Sequence, residues 1–292
     1  MTTLPLVVGV DGSDSSLQAV DWAVDEAARH GLPLRLVHAS LWERYEGAVP
    51  SSGTERPSER VMAENIVASA AERAARRQPD VKVTTEVIPE EPAETLLHEG
   101  NSAFALVTGS RGRGELQGLL LGSVGLAVAA RSHRPVVVVR GDIAGVAGSH
   151  GRILLGVGDT ATGGEAVRFA FREAEVRGSV LDAVRAWRCP AHETAEHPGL
   201  ADDAGRRHEE RASDLLDTAL REASGDHPGV RLRSVSVEGP ARRILVQRSA
   251  AADLVVVGAH RREGHFGLQL GRVGHTLLHH AYCPVAIVPQ PV

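Results

Sequence analysis

The sequence predicts an α/β fold made twice over: two repeated doubly wound domains, each a five-stranded parallel sheet flanked by helices. Three observations carry that prediction. First, Leu6–Gly31 (LVVGVDGSDSSLQAVDWAVDEAARHG) matches Ile153–Gly178 (ILLGVGDTATGGEAVRFAFREAEVRG) at a constant offset of 147. Ala105–Gly125 matches Leu254–Gly274 at an offset of 149, and RPVVVVR at Arg134–Arg140 matches CPVAIVP at Cys283–Pro289. Second, short continuous apolar runs mark strands buried on both faces, as parallel sheets require. Third, those runs alternate with segments of helical periodicity, the pattern of strand–helix–strand units.

Taken in order, Leu6–Val10 is an apolar run that reads as the first strand. Ser13 and Asp14 can cap a helix with Leu17, Val20, Val24 and Ala27 on one face; Gly31 ends it and Pro33 bars its return. Leu34–Ala39 is the second strand, and Ser58–Arg76 a helix expected to bury Val61, Met62, Ile66, Val67 and Ala70. Val81–Ile88 is a third strand, Pro92 opens a short helix with Leu96 and Leu97, and Ala105–Thr108 is the fourth strand. After a Gly-rich loop, Ser123–Arg131 is helical and Val136–Val139 is the fifth strand. The boundaries follow: a first domain over 1–141, a small, polar, Gly-rich linker over 142–150, and a second domain over 151–292. Trp42–Glu59 and Trp187–Arg206 read as surface loops after the second strand of each copy.

Composition narrows the function. A hydrophobic share of 42% with 24% charged residues describes a globular chain. The net charge of −5 and interleaved arginines speak against a nucleic-acid partner, and 3% aromatics against a single-strand stacking platform. The two cysteines, Cys189 and Cys283, lie far apart, which reads as a reduced intracellular protein. No signal peptide or membrane span is legible, so the expectation is a cytoplasmic protein without a membrane partner. His275 and His279 are four apart on a predicted helix, but neither cysteine nor acid follows at ligand spacing; a solvated face is the favoured reading and no metal site is expected.

The chemistry concentrates in Gly109-Ser110-Arg111-Gly112, followed after nine residues by Gly122-Ser123. A strand delivers the chain into this loop and a helix begins at its end. Glycines let backbone N–H groups approach a phosphate, and a helix N-terminus adds unsatisfied donors and a favourable dipole. Arg111 and Arg113 stand at the rim, where they can screen phosphate charge. The spacing is neither a Walker A loop nor a G-x-G-x-x-G fingerprint. It resembles the ATP motif of the universal stress protein family, as do the opening VGVDGS, the VHA of the second strand and the closing RPVVVV. High arginine and alanine usage resembles an actinobacterial tandem member of that family.

The resemblance implies an adenine nucleotide alpha hydrolase-like, Rossmann-like domain that binds ATP with Mg²⁺ and pairs through its last strand. A pseudo-dimer within the chain is therefore expected, with a further homodimer possible. Carried over by position, Asp11 bonds the ribose or lies near the metal–phosphate group, and Ala39 touches adenine through its backbone. Thr108, Gly109 and Gly112 wrap the ribose and phosphates, while Gly122, Ser123 and Val124 hold phosphates at the helix start. For Asp11 alone the alternative is a turn or capping acid. The function implied is regulatory, in a stress response, and not that of an enzyme. Two alternatives stay open: an ATP-cleaving enzyme of the related pyrophosphatase type, which Asp11–Ser15 weakly resembles, and an interaction module that needs no nucleotide.

The second copy departs at three marker positions. Gly158 stands for Asp11, with Asp159 displaced by one; Arg261 stands for Gly112; Arg272 stands for Ser123. The expectation is a degenerate site. The alternative is that Arg261, Arg262 and Arg272 form a new anion pocket.

Overall fold

A computed structural model describes residues 3–41, 58–112, 121–158, 164–189, 201–260 and 270–290. The chain divides into two compact units, Met1–Arg140 and Gly141–Val292.

The first unit runs β1 (Leu6–Gly9), α1 (Asp14–His30), β2 (Leu34–Ala39), α2 (Ser58–Arg77), β3 (Val83–Ile88), α3 (Pro92–Gly100), β4 (Ala105–Gly109), α4 (Ser123–Arg131) and β5 (Val136–Val139). The strands lie parallel in the order β3-β2-β1-β4-β5. Helix α1 packs against α2, and α3 against α4. Apolar side chains fill most of the sheet: Leu6, Val8, Leu34, Leu36, Leu106 and Val138 are all buried.

Local chemistry sets the boundaries. Ser13 is the N-cap of α1, its Oγ accepting from the Ser16 amide at 3.2 Å. Gly31 closes α1 in the left-handed region at φ +62°, and the Leu32 amide bonds back to the Ala27 carbonyl. Pro92 occupies the first turn of α3, where its missing N–H costs no helical bond.

One predicted face is corrected. Helix α2 buries Ala63, Ile66, Val67, Ala70 and Ala74, whereas Val61 is 38% and Met62 54% exposed. The small residues at 63, 70 and 74 continue the stripe begun by Ile66 and Val67 at a spacing of three to four. Helix α2 thus approaches the sheet along alanines, which turns Val61 and Met62 off the seam.

The second unit runs α5 (Ile143–Ala147), β6 (Arg152–Gly156), α6 (Gly164–Arg177), β7 (Val180–Trp187), α7 (Ala201–Asp226), β8 (Arg231–Glu238), α8 (Ala241–Ser249), β9 (Leu254–Ala259), α9 (Arg272–His280) and β10 (Val285–Pro289). Its strands lie parallel in the order β8-β7-β6-β9-β10. Even the register repeats: Leu6 faces Leu34 and Ala105, and Ile153 faces Leu181 and Leu254.

The segment read as a linker holds a short helix, α5, which Asp142 caps by accepting from the Gly145 amide at 2.8 Å and Gly148 closes at φ +70°. Of the expected surface loops, residues 42–57 and 190–200 lie outside the described residues; 58–59 and 201–206 are helical. Trp22 and Cys283 are buried. Among the described residues, no helix is long and apolar enough to cross a membrane.

The helix pair on one face of each sheet carries opposite charge in the two units. In the first, Asp21 and Asp25 of α1 accept paired hydrogen bonds from Arg73 and Arg77 of α2 at 2.6–2.9 Å. In the second, Arg168 and Arg172 of α6 stand at the positions of Asp21 and Asp25. A hydrogen bond to Glu165, aided by the charges of Glu222 and Asp226 on α7, holds the Arg168 guanidinium above its ordinary range.

Candidate functional site

Strands β1 and β4 are neighbours whose following helices, α1 and α4, pack in different helix pairs. Their carboxyl ends therefore diverge into a crevice, the switch point where doubly wound sheets take ligands. A cavity of about 500 Å³ opens there, within the size range of small-molecule sites.

All nine residues singled out in the sequence line this one cavity: Asp11, Ala39, Thr108, Gly109, Arg111, Gly112, Gly122, Ser123 and Val124. Val10, Ser16, Val37, Pro92 and Leu96 join them without having been singled out as site residues. A signal for Val37 was present, because Ala39 is two residues along β2 and strand neighbours at that spacing share a face. Pro92 and Leu96 open α3, and only the strand order brings them to this edge. Arg113 lies outside the described residues.

The polar floor is organised around Asp11. Its Oδ1 accepts from the Ser13 amide at 2.9 Å and from the Ser13 hydroxyl at 2.6 Å. The turn-acid and capping reading of Asp11 is thus partly met, but through Ser13, which itself caps α1. Its other oxygen points at the loop: a Cβ added at Gly112 would lie 2.7 Å from Asp11 Oδ2. Ser15 ties helix to loop, its Oγ accepting from the Arg111 amide at 3.1 Å. The loop closes on itself where the Gly122 amide donates to the Ser110 carbonyl at 2.8 Å. That bond engages the Gly122 amide, leaving Ser123, Val124 and Gly125 as the donors of the helix start; among the described residues no side chain caps α4.

Thr108 adds an observation of another kind. It is 5% exposed, and its hydroxyl has no hydrogen-bond partner among the described residues. A buried polar group left unsatisfied costs about 1–3 kcal/mol, so this hydroxyl on the cavity wall calls for a partner, a water or a ligand atom.

The equivalent edge of the second unit is built differently. Gly158 replaces the carboxylate, and Arg185 of β7 donates a hydrogen bond to the Gly158 carbonyl. The buried Gln290 accepts from the Glu165 amide at 3.2 Å, and its side chain lies over Gly258, the counterpart of Gly109. Arg272 opens α9 and is exposed. Asp159, Arg261 and Arg262 lie outside the described residues.

Comparison with known proteins agrees with the repeat. The chain matches the Universal stress protein family over residues 4–140 and again over 150–289. It is 35% identical over 294 residues to Universal stress protein Rv2005c of Mycobacterium tuberculosis, covering 98% of this chain and 97% of that protein. Among solved structures, a universal stress protein from Archaeoglobus fulgidus DSM 4304 has the same fold at a TM-score of 0.61 and 15% identity, with 100% of both chains covered. A putative universal stress protein from Pseudomonas aeruginosa UCBPP-PA14 gives 0.62 at 13% identity, over 98% of this chain and 94% of that one. Twice matched by the family and aligned end to end with a tandem relative, the chain belongs to the universal stress protein family.

Proposed function

We propose that the first copy binds ATP together with Mg²⁺, that the chain holds one nucleotide, and that the protein acts as a cytoplasmic stress-response regulator and not as a catalyst. The observation that carries this reading is the cavity itself. It joins an uncapped helix start, a glycine loop and an orphan buried hydroxyl around a single carboxylate.

Each part has a role that its chemistry suits. The Ser123 and Val124 amides and the Ser123 hydroxyl face phosphate at the positive end of α4. Gly109 and Gly112 keep side chains out of the path of the phosphates, and Arg111 screens their charge. Thr108 offers its hydroxyl to the ribose or a phosphate oxygen. Asp11 suits a ribose hydroxyl or the hydrated Mg²⁺, a hard cation that prefers carboxylate and water oxygens. The apolar wall of Val37, Pro92 and Leu96 takes the base, with the Ala39 backbone at its edge.

The described lining holds no histidine or cysteine, and its one acid already accepts two hydrogen bonds from Ser13. Among the described residues no second group stands ready to polarise a water, which supports slow hydrolysis where it occurs. Mass spectrometry of nucleotide released from gently purified protein tests the reading, with titration calorimetry for stoichiometry. The expected result is bound ATP at one per chain. AMP with pyrophosphate as products would favour the ATP-cleaving enzyme, and a chain that binds no nucleotide would favour the interaction module.

A further inference from the structure

The peptide that carries the chain from β1 into the site is held at both its polar ends. Val10 lines the cavity and precedes Asp11, whose carboxylate organises the floor. The Val10 carbonyl lies 2.7 Å from Nδ1 of His38, a β2 residue that is 8% exposed. A carbonyl oxygen can only accept, so that ring nitrogen carries the hydrogen and donates it. On the other side of the same peptide, the Asp11 amide donates to Ser16 Oγ at 3.4 Å. A peptide unit is planar, so bonds at its carbonyl and its N–H fix how the plane is turned and where the Asp11 side chain sets out. Gly12, at φ +78°, then turns the chain, and Ser13 holds Asp11 Oδ1 through its amide and hydroxyl. His38 reaches the carbonyl from behind: Val37 and Ala39 line the cavity, and a strand side chain between two such residues points to the other face. In the second copy Arg185 stands at the position of His38. It donates one residue further along, to the carbonyl of Gly158, which has no carboxylate to aim.

We propose that His38 is a positioning residue for the cavity: its Nδ1–H, bonded to the Val10 carbonyl, fixes the peptide that launches Asp11 and so aims the carboxylate at the ligand. The use made of that aim rests on the nucleotide reading of the cavity. His38 acts through the backbone and not on the ligand. Without its donor the Val10–Asp11 peptide is held less firmly, and the carboxylate samples more than one direction. A side chain that offers an N–H at the same place restores the bond. The amide nitrogen of asparagine sits where the imidazole Nδ1 does, whereas leucine fills similar space and has nothing to donate.

Three measurements on the full chain test this role. Nitrogen NMR of the wild type should find the neutral His38 ring protonated at Nδ1; a ring protonated at Nε2 alone would overturn the proposal without any variant having to fold. Amide hydrogen exchange on the nucleotide-free chain reads the position of Asp11 through the Ser13 amide that donates to it. His38→Leu should speed exchange at Ser13 by about tenfold, and His38→Asn should restore most of the protection. Unchanged exchange in His38→Leu, or an asparagine variant no better than leucine, would overturn it. Calorimetry with ATP should show His38→Leu weaker by about tenfold in the native chain and by much less in an Asp11→Ala background, because the two residues act as one unit. An equal loss in both backgrounds would also overturn it. A wild type that takes up no ATP would sink the nucleotide reading alone, and the Ser13 exchange would still decide the part played by His38.

Discussion

The first and second copies run the same five strands in the same register, yet the carboxyl edges of their sheets have little in common. Both keep a glycine in the first strand pressed against a leucine of the helix that precedes the fourth strand: an added Cβ at Gly9 would meet Leu96 of α3 at 2.7 Å, and one at Gly156 would meet Leu245 of α8 at 2.8 Å. At the edge the likeness ends. Gly109 abuts the backbone of Ser15 and thereby seats α1 against the loop, whereas the nearest atoms to Gly258 belong to the side chain of Gln290. The difference separates two demands on one fold. A parallel sheet needs apolar volume in the right period, and many residues supply that. A phosphate-type edge needs particular atoms within a few ångströms, and one substitution removes them.

The largest expected effect comes from importing the residue of the second copy into the first. Gly112→Arg places a Cβ 2.7 Å from Asp11 Oδ2 and a guanidinium beyond it. Losing about three charge-assisted hydrogen bonds, at about 1.5–3 kcal/mol each, lowers ATP affinity by about three powers of ten or more. Circular dichroism should stay native, and Arg272→Ala should leave calorimetric affinity unchanged. Tight binding by Gly112→Arg would mean that the wrong half has been assigned the nucleotide. Next comes Asp11→Ala, expected to weaken binding about ten- to a hundredfold by removing one such partner; an unchanged affinity would reduce Asp11 to a turn acid.

Stability sharpens the same comparison. Gly109→Ala drives a Cβ to 2.6 Å from the Ser15 carbonyl oxygen, a backbone atom, while Gly258→Ala meets the flexible Gln290 at 3.1 Å. Urea unfolding should show the first destabilised by about 1–3 kcal/mol and the second by less than about 1. Equal losses would mean that the two edges are packed alike.

The smallest effect is electrostatic. Burial would raise the Asp25 carboxyl, but hydrogen bonds from Arg77 and Gln78 outweigh it and hold it below the ordinary value of 3.8. A carboxyl lowered by folding contributes stability that is whole above that value and lost as the pH falls through the folded one. Arg77 is about half exposed, so Arg77→Ala should cost no more than about 1 kcal/mol at neutral pH. The deficit should close in acid below the ordinary carboxyl range. Thermal melts across pH check this, and a deficit that widened in acid would contradict it.

Much of this molecule was legible beforehand, for identifiable reasons. Buried parallel strands write themselves as unbroken apolar runs, Ser13 and Gly31 mark helix ends by local chemistry, and the loop spacing together with the family resemblance named nine residues that line one cavity. What escaped depended on contacts distant in sequence. The face of α2 was misjudged because Val61 and Met62 outrank alanine in hydropathy, although alanine fits the close approach. Pro92 and Leu96 reach the cavity only through strand order. Gln290 follows the last strand, and nothing local announces that its amide meets the start of α6.

The reversed charges of the two helix pairs bear on how a tandem chain avoids assembling with the wrong half of itself. Similar repeats in one polypeptide invite exchange of equivalent elements while both are still unfolded. Here an exchanged α1 would bring Asp21 and Asp25 toward the Glu222 and Asp226 of α7, and an exchanged α6 would set Arg168 and Arg172 against Arg73 and Arg77. Each misfit meets like charge where the proper partner offers opposite charge, so the four-arginine, four-acid arrangement works as an address label that disfavours exchange with the similar neighbouring copy.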